Sequence, residues 1–67
     1  MTLYDYLRPR ERQVACLIRY NYPYKIVADL LGLSENTVKK HVRAIMDKTG
    51  LGSKLEIAVA VWYNEQR

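Results

Sequence analysis

The stretch that decides the fold is residues 28–38, which read ADLLGLSENTV. Two helices that cross steeply through a short turn need a small residue at the crossing, and Ala28 provides it. The turn needs a residue that tolerates a positive φ, and Gly32 supplies that freedom. The second helix needs an apolar residue directed back into the core, and Val38 has the right spacing. The pattern predicts a helix-turn-helix unit over about residues 24–48.

The rest of the chain continues the helical pattern outward from this unit. We predict one domain over residues 1–67, with a leading segment over 1–8 and helices over about 9–20, 24–31, 35–48 and 54–65. Ser34 is a candidate N-cap of the third helix, and Gly50 is a candidate C-terminal stop. Ser53 and Glu56 have the spacing of a capping box. Sustained strand alternation is missing from the sequence, so the fold class is all-α.

The third helix has two different faces. Its apolar side is expected to carry Val38, Val42, Ile45 and Met46, and the second helix is expected to bury Val27, Leu30 and Leu31. The opposite side carries Asn36, Lys40 and Arg43, and no acid lies between residues 36 and 43. Lys and Arg can bond guanine and Asn can bond adenine, so this face is typical of a helix that contacts DNA bases. A solvated charged face is the alternative interpretation.

The local distribution of charge, more than the net charge, indicates nucleic acid as the partner, and the short chain without a catalytic constellation argues against an enzyme. The net charge is +4 and the isoelectric point is near 9.4. The lone Cys16 and the lone His41 cannot build a metal site together, and no acidic pair suggests acid–base chemistry. We therefore expect no catalytic residue, no metal, no cofactor and no small molecule. The unpaired cysteine and the lack of a bilayer-length apolar run favour a cytoplasmic protein, and DNA as the partner would place it at the nucleoid.

The fourth helix holds more apolar residues than one side of a helix can display. Residues 55–63 read LEIAVAVWY, and a small domain buries only one face of a terminal helix. Val59 and Trp62 lie one turn apart on the same side. The surplus predicts a surface for a partner, whereas a tight core with a few tolerated exposed apolar residues is the alternative.

The chain resembles the LuxR/GerE type of helix-turn-helix domain over about residues 7–61. The residues that carry the resemblance are Leu7, Pro9, Arg10, Glu11, Arg12, Val14, Lys25, Val27, Ala28, Leu31, Leu33, Ser34, Thr37, Val38, Lys39, His41, Ile45, Lys48, Gly50 and Glu56. The resemblance implies a four-helix bacterial transcription factor module whose third helix is the recognition helix. It also implies a weak homodimer through the fourth helix.

Site residues follow from the faces of the helices and from the resemblance together. We predict base contacts from Asn36, Lys39, Lys40 and Arg43. We predict DNA-backbone contacts from Tyr24, Lys25, Ser34, Thr37, His41, Lys48 and Lys54. We predict a dimer interface of Leu55, Val59, Trp62 and Tyr63. The sequence departs from the family where Arg8 replaces the usual capping Thr and where Tyr24 replaces the usual phosphate-binding Asn.

The predicted function is sequence-specific binding of double-stranded DNA and regulation of transcription, by a stand-alone regulator or by the output domain of a longer one. The alternative is a module like the −35-reading domain of sigma factors, with RNA polymerase as a partner. That alternative usually has acidic residues where this chain has Tyr24 and Lys25, and it usually has Ser-Arg where this chain has Lys40 and His41. These differences favour the regulator.

Overall fold

The computed structural model describes residues 3–65, and every regular element in that range is helical. A 3₁₀ helix spans Leu3–Tyr6 and is followed by α1 (Pro9–Ile18), α2 (Tyr24–Leu31), α3 (Glu35–Thr49) and α4 (Lys54–Glu65). The predicted all-α class with four α-helices is confirmed. The outer limits of the predicted domain, residues 1–2 and 66–67, lie outside the described residues.

Two helix ends differ from the sequence prediction. The first helix was expected to reach residue 20, but α1 ends at Ile18 because Asn21 adopts a left-handed backbone with φ of 62°. The third helix was expected to end at residue 48, but α3 includes Thr49. The Thr49 hydroxyl donates to the Ile45 carbonyl at 2.7 Å, which holds this residue in the last turn.

The turns follow the predicted chemistry. Gly32 ends α2 in the left-handed region with φ of 68°, and the Leu33 N–H donates to the Ala28 carbonyl at 2.9 Å. Gly50 ends α3 in the same way with φ of 77°. Ser34 caps α3, since its hydroxyl accepts from the Thr37 N–H at 3.1 Å. These contacts set the angle between α2 and α3.

The start of α4 is capped differently from the prediction. The Ser53 hydroxyl accepts from the Glu56 N–H at 3.2 Å, as a capping box requires. The Glu56 carboxylate accepts from the N–H of Gly52, at 2.8 Å, and not from that of Ser53. The return bond therefore falls one residue earlier than in a capping box.

All four helices contribute to one apolar core. α3 packs against α1 and α2, and α4 packs against α1. The buried apolar residues are Leu7, Val14, Ala15, Ile18, Val27, Ala28, Val38, Val42, Ile45, Ile57, Ala58 and Val61. The predicted inner stripe of α3 is confirmed for Val38, Val42 and Ile45, and Met46 packs at its edge. The described helices include none long and apolar enough to cross a bilayer.

One predicted core residue is wrong. Leu30 is 60% exposed, although it was expected to be buried. Ala28 faces the core at the crossing of α2 and α3, and two residues further along a helix the side chain points about 200° away. Leu30 therefore lies on the outer surface of α2, beside the partly exposed Cys16 and Leu17.

The two ends of the described chain are joined by side chains. The Leu3 N–H donates to Asn64 Oδ1 at 3.2 Å, and the Tyr4 hydroxyl donates to Glu65 Oε1 at 2.9 Å. Arg19, just beyond α1, forms an ion pair with the same Glu65 carboxylate. The 3₁₀ helix and the end of α1 are therefore both fastened to the end of α4.

Candidate nucleic-acid interface

The outer face of α3 brings the four predicted base-contacting residues together. Asn36, Lys39, Lys40 and Arg43 line one open groove with a volume of about 320 Å³. All four side chains are exposed, while Val38 and Val42 on the other side of the helix are buried. A buried apolar stripe holds the helix in place, so the charged face is presented outward in a fixed orientation.

The cations of this groove are not equivalent. The Lys39 ammonium lies 3.6 Å from the Glu35 carboxylate, one helical turn earlier, and both side chains are about half exposed. An exposed pair of this kind contributes roughly 0–1 kcal/mol, so it opens readily for a stronger anion. Lys40 and Arg43 form no ion pair of this kind within the described residues.

The N-terminus of α3 carries two of the predicted backbone contacts. The hydroxyl oxygens of Ser34 and Thr37 lie 2.8 Å apart, and Ser34 also caps the helix. Hydroxyl donors and the positive end of a helix dipole are suited to a phosphate oxygen. Ser34 is exposed and Thr37 is partly exposed, so both can be reached from solvent.

The starts of α2 and α4 are linked by one side-chain contact and carry three more predicted backbone contacts. The Lys54 ammonium sits over the ring of Tyr24, 4.9 Å from its centroid. Burial raises the pKa of the Tyr24 hydroxyl above its ordinary value. Lys25 follows in the first turn of α2 and is exposed. Tyr24 and Lys54 thus join an aromatic ring and a cation at the starts of α2 and α4, although Tyr24 replaces the usual Asn.

Lys48 and His41 lie near an acid that the sequence analysis did not single out as functional. The Lys48 ammonium donates to Glu11 Oε1 at 2.7 Å, and Glu11 is only 5% exposed. The Arg8 N–H donates to the same oxygen at 2.9 Å. Burial raises the pKa of Glu11, but the bonds from Lys48 and Arg8 and the positive charges of Lys48 and His41 bring it below its usual value. No local signal in the sequence links residues 11 and 48, which are 37 positions apart.

The outer face of α4 is a second surface, and it is apolar. Leu55, Val59, Trp62 and Tyr63 are each more than half exposed, between 56% and 68%. Leu55 and Val59 form a ridge between two shallow grooves. One groove is completed by Leu3, Leu51 and Tyr63, and the other by Arg19, Asn21 and Trp62. The four predicted dimer residues therefore share one exposed surface.

Comparison with known proteins decides the family. Residues 5–61 match the family described as bacterial regulatory proteins, luxR family. The chain belongs to the luxR family. This agrees with the resemblance drawn from the sequence, and it identifies a bacterial DNA-binding domain of transcription regulators, a class that is not enzymatic.

Two relatives of this luxR-family domain are the nitrate/nitrite response regulator proteins NarL of Escherichia coli strain K12 and of Escherichia coli O6:H1. Each is 41% identical over 61 residues, which cover 91% of this chain. The chain spans only 27% of the length of either relative. The similarity therefore concerns one domain of those proteins.

The luxR-family domain shows no metal centre in the part that the structure describes. Between residues 3 and 65, the His, Cys, Asp and Glu side chains form no group of three that could hold an ion. The candidate site consists of the charged groove of α3 with the polar residues around it, and the apolar face of α4 is a second surface.

Proposed function

We propose that this domain binds a specific sequence of double-stranded DNA by inserting α3 into the major groove, and that it regulates transcription through that binding. The observation that carries the proposal is the groove lined by Asn36, Lys39, Lys40 and Arg43 on a helix whose other side is buried. A second helix of a helix-turn-helix held in this way can place its outer side chains at base edges.

Base contacts are assigned by the chemistry of each side chain. Lys40 and Arg43 donate to the N7 and O6 of guanine, and Asn36 forms paired bonds with adenine. Lys39 joins them when its exposed pair with Glu35 opens. The preferred site should therefore contain guanines at the positions that Lys40 and Arg43 reach.

Backbone contacts surround this reading face. We assign phosphate contacts to Tyr24, Lys25, Ser34, Thr37, His41 and Lys54. The contact between the Lys54 ammonium and the Tyr24 ring supports this assignment, because it brings a cation and a side chain with a hydroxyl donor to one place at the start of α2. Lys48 was predicted to belong to the same set, but its ammonium is bonded to Glu11, which favours the different role derived below.

We further propose a weak homodimer through α4. Leu55, Val59, Trp62 and Tyr63 would meet the same residues of a second copy across a two-fold axis. Two such domains would match half-sites about one turn of DNA apart. The exposed area of one short helix is small, so a micromolar or weaker affinity in solution is expected.

The wider setting of the domain follows from the relatives. Because the chain spans 27% of NarL, we propose that it acts as the output domain of a longer regulator, with a stand-alone regulator as the other arrangement. The proposed location is the cytoplasm, at the nucleoid, where double-stranded DNA is available. Contact with RNA polymerase is the alternative role, and binding to DNA without polymerase separates the two.

The test is a binding titration on a duplex selected from a random pool, at several salt concentrations and without polymerase. Affinity should fall steeply with salt, with a log–log slope near −0.9 for each phosphate contacted. Arg43→Ala or Lys40→Ala should cost roughly 1–3 kcal/mol on the selected site and relax the preference for one base pair. Arg10→Ala removes the same charge from α1 and serves as the control.

Two results would contradict the proposal. A flat salt response would exclude binding through phosphates. Equal weakening by Arg43→Ala on selected and on random duplexes would show that this residue contacts the backbone and reads no base.

A further inference from the structure

The buried carboxylate of Glu11 is the one acidic group among the described residues that is almost fully enclosed. It lies in the first turn of α1 and accepts two bonds, from the Arg8 N–H at 2.9 Å and from the Lys48 ammonium at 2.7 Å. Lys48 is in the last turn of α3, where a cation also complements the helix dipole. The pair therefore ties the far end of the recognition helix to the start of α1.

Binding of a phosphate by Lys48 would require its ion pair with Glu11 to break, which is unfavourable. If its ammonium turned to DNA, the Glu11 carboxylate would remain buried without a cationic partner, which is strongly unfavourable. The contrast with Lys39 is direct, because the carboxylate of its partner Glu35 is about half exposed and stays solvated when that pair opens. Lys39 in the groove can therefore leave its partner to bind DNA, whereas Lys48 at the end of the helix stays paired with Glu11.

The two ends of α3 are held by different means. The near end is fixed to α2 by the Gly32 turn and the Ser34 cap. The far half packs on α1 through its buried apolar stripe, and the Lys48–Glu11 pair is the polar bond that ties its last turn to α1. Arg43 lies nine residues after Ser34, about 14 Å along the helix axis. A tilt of about 10° around the near end would displace Arg43 by roughly 2 Å, which is enough to break a hydrogen bond to a base.

We infer that Glu11 and Lys48 are positioning residues that set the angle of the recognition helix, and that Lys48 is not a phosphate contact. The inference rests on the proposed DNA binding. Base readout depends on direction and distance, whereas phosphate contacts tolerate small shifts. Loss of the pair should therefore reduce specificity more than it reduces general affinity for DNA, and most at the base pair that Arg43 reads.

The experiment measures the salt slope and the ratio of specific to non-specific affinity for wild type, Lys48→Met and Lys25→Met. Lys25→Met is the matched control, because Lys25 is an exposed lysine assigned to a phosphate, and its loss should reduce the magnitude of the slope by about 0.9. Lys48→Met should leave the slope unchanged and lower the affinity ratio roughly tenfold, the loss expected for one misplaced base contact.

Further variants separate positioning from simple loss of stability. Glu11→Gln keeps an acceptor for the Arg8 N–H but removes the charge, and it should relax specificity as Lys48→Met does. The double variant Glu11→Gln/Lys48→Met leaves no buried charge, so it should be more stable than a single variant that leaves one charge unpaired. Its ratio should be no lower than that of the weaker single variant. Lys48→Arg keeps the pair and should keep both the slope and the ratio. Circular dichroism at the assay temperature confirms that each variant is folded.

Three outcomes would overturn the inference. If Lys48→Met reduces the slope by about 0.9 with an unchanged ratio, Lys48 is a phosphate contact. If Glu11→Gln strengthens binding to all duplexes equally, the pair merely withholds Lys48 from DNA. If the folded variants melt earlier but keep the wild-type ratio and slope, the pair serves stability alone. Failure of the wild type to bind any duplex would instead overturn the proposed function itself.

Discussion

α3 and α4 have similar inner faces and opposite outer faces. α3 buries Val38, Val42 and Ile45, and α4 buries Ile57, Ala58 and Val61 in the same core. Outside, α3 is charged and polar along its groove, whereas α4 is apolar along a ridge. The comparison shows that the core residues account for the fold and that the outer residues distinguish the partners. A charged face suits a polyanion, and an apolar face suits another protein surface.

The largest effect on stability should come from truncating a side chain on the inner side of α4, compared with one on its outer side. Ile57→Ala removes a fully buried side chain and should lower the free energy of unfolding by roughly 2–5 kcal/mol. Leu55→Ala removes a side chain that is 68% exposed and should change it by no more than about 0.5 kcal/mol. Denaturant titration of both variants measures the difference. A large loss for Leu55→Ala in the monomer would show that the outer face of α4 is structural.

An intermediate effect is expected when a charge is placed on the apolar face of α4. Val59→Glu places a carboxylate in the proposed dimer contact and should abolish cooperative binding to paired half-sites, while binding to one half-site is kept. A coupling of about 1.4 kcal/mol corresponds to tenfold tighter binding of the second copy, and this factor should be lost.

Val59→Thr, which has a similar shape and no charge, is the control for this dimer variant. Helicity should stay at the wild-type level in both variants, because Val59 is 58% exposed. Unfolding of Val59→Glu would mean that Val59 belongs to the core. Independent binding of wild-type monomers at high concentration would end the dimer proposal.

The smallest effect concerns the start of α1, where the departure from the family can be repaired. Arg8 occupies the N-cap with an extended backbone, and its side chain makes no capping bond, although Glu11 accepts from the Arg8 N–H. Arg8→Thr would add an acceptor for the N–H groups of the first turn and remove a cation from the positive end of the helix. We expect roughly 0.5–1 kcal/mol of added stability.

Arg8→Ala separates these two causes, since it removes the cation without adding an acceptor. Thermal melts of both variants measure the change. A melting temperature for Arg8→Thr at or below that of the wild type would show that the Arg8 guanidinium stabilises the protein in another way.

Local signals made most of the fold predictable, and contacts between distant residues were not predictable. The bounds of α2 and α4 and the left-handed Gly32 and Gly50 agree with the prediction, because caps and turns are read within a few residues. The end of α1 was missed because nothing next to Tyr20 forbids a helix, and Asn21 ends it only through its backbone conformation.

In the candidate site, too, local patterns were predictable and a contact between distant residues was not. The helical period was enough to place Asn36, Lys40 and Arg43 on one face, and the structure brings them together with Lys39. The bond between Glu11 and Lys48 joins residues 37 positions apart, and a buried acid in an amphipathic helix has the same sequence pattern as an exposed one. Only the packing of α1 against α3 shows that Glu11 is a buried acid and not an exposed one.

The bonds that link Leu3 to Asn64 and Tyr4 to Glu65 bring the first and the last described residues close together in space. A short linker could therefore join residues 3 and 65, and new ends could be opened in the exposed stretch 20–23 between α1 and α2. Such a circular permutant would begin with the helix-turn-helix and finish with α1, and its packing would be the same. The order of the helices along the chain is then separable from their arrangement in space.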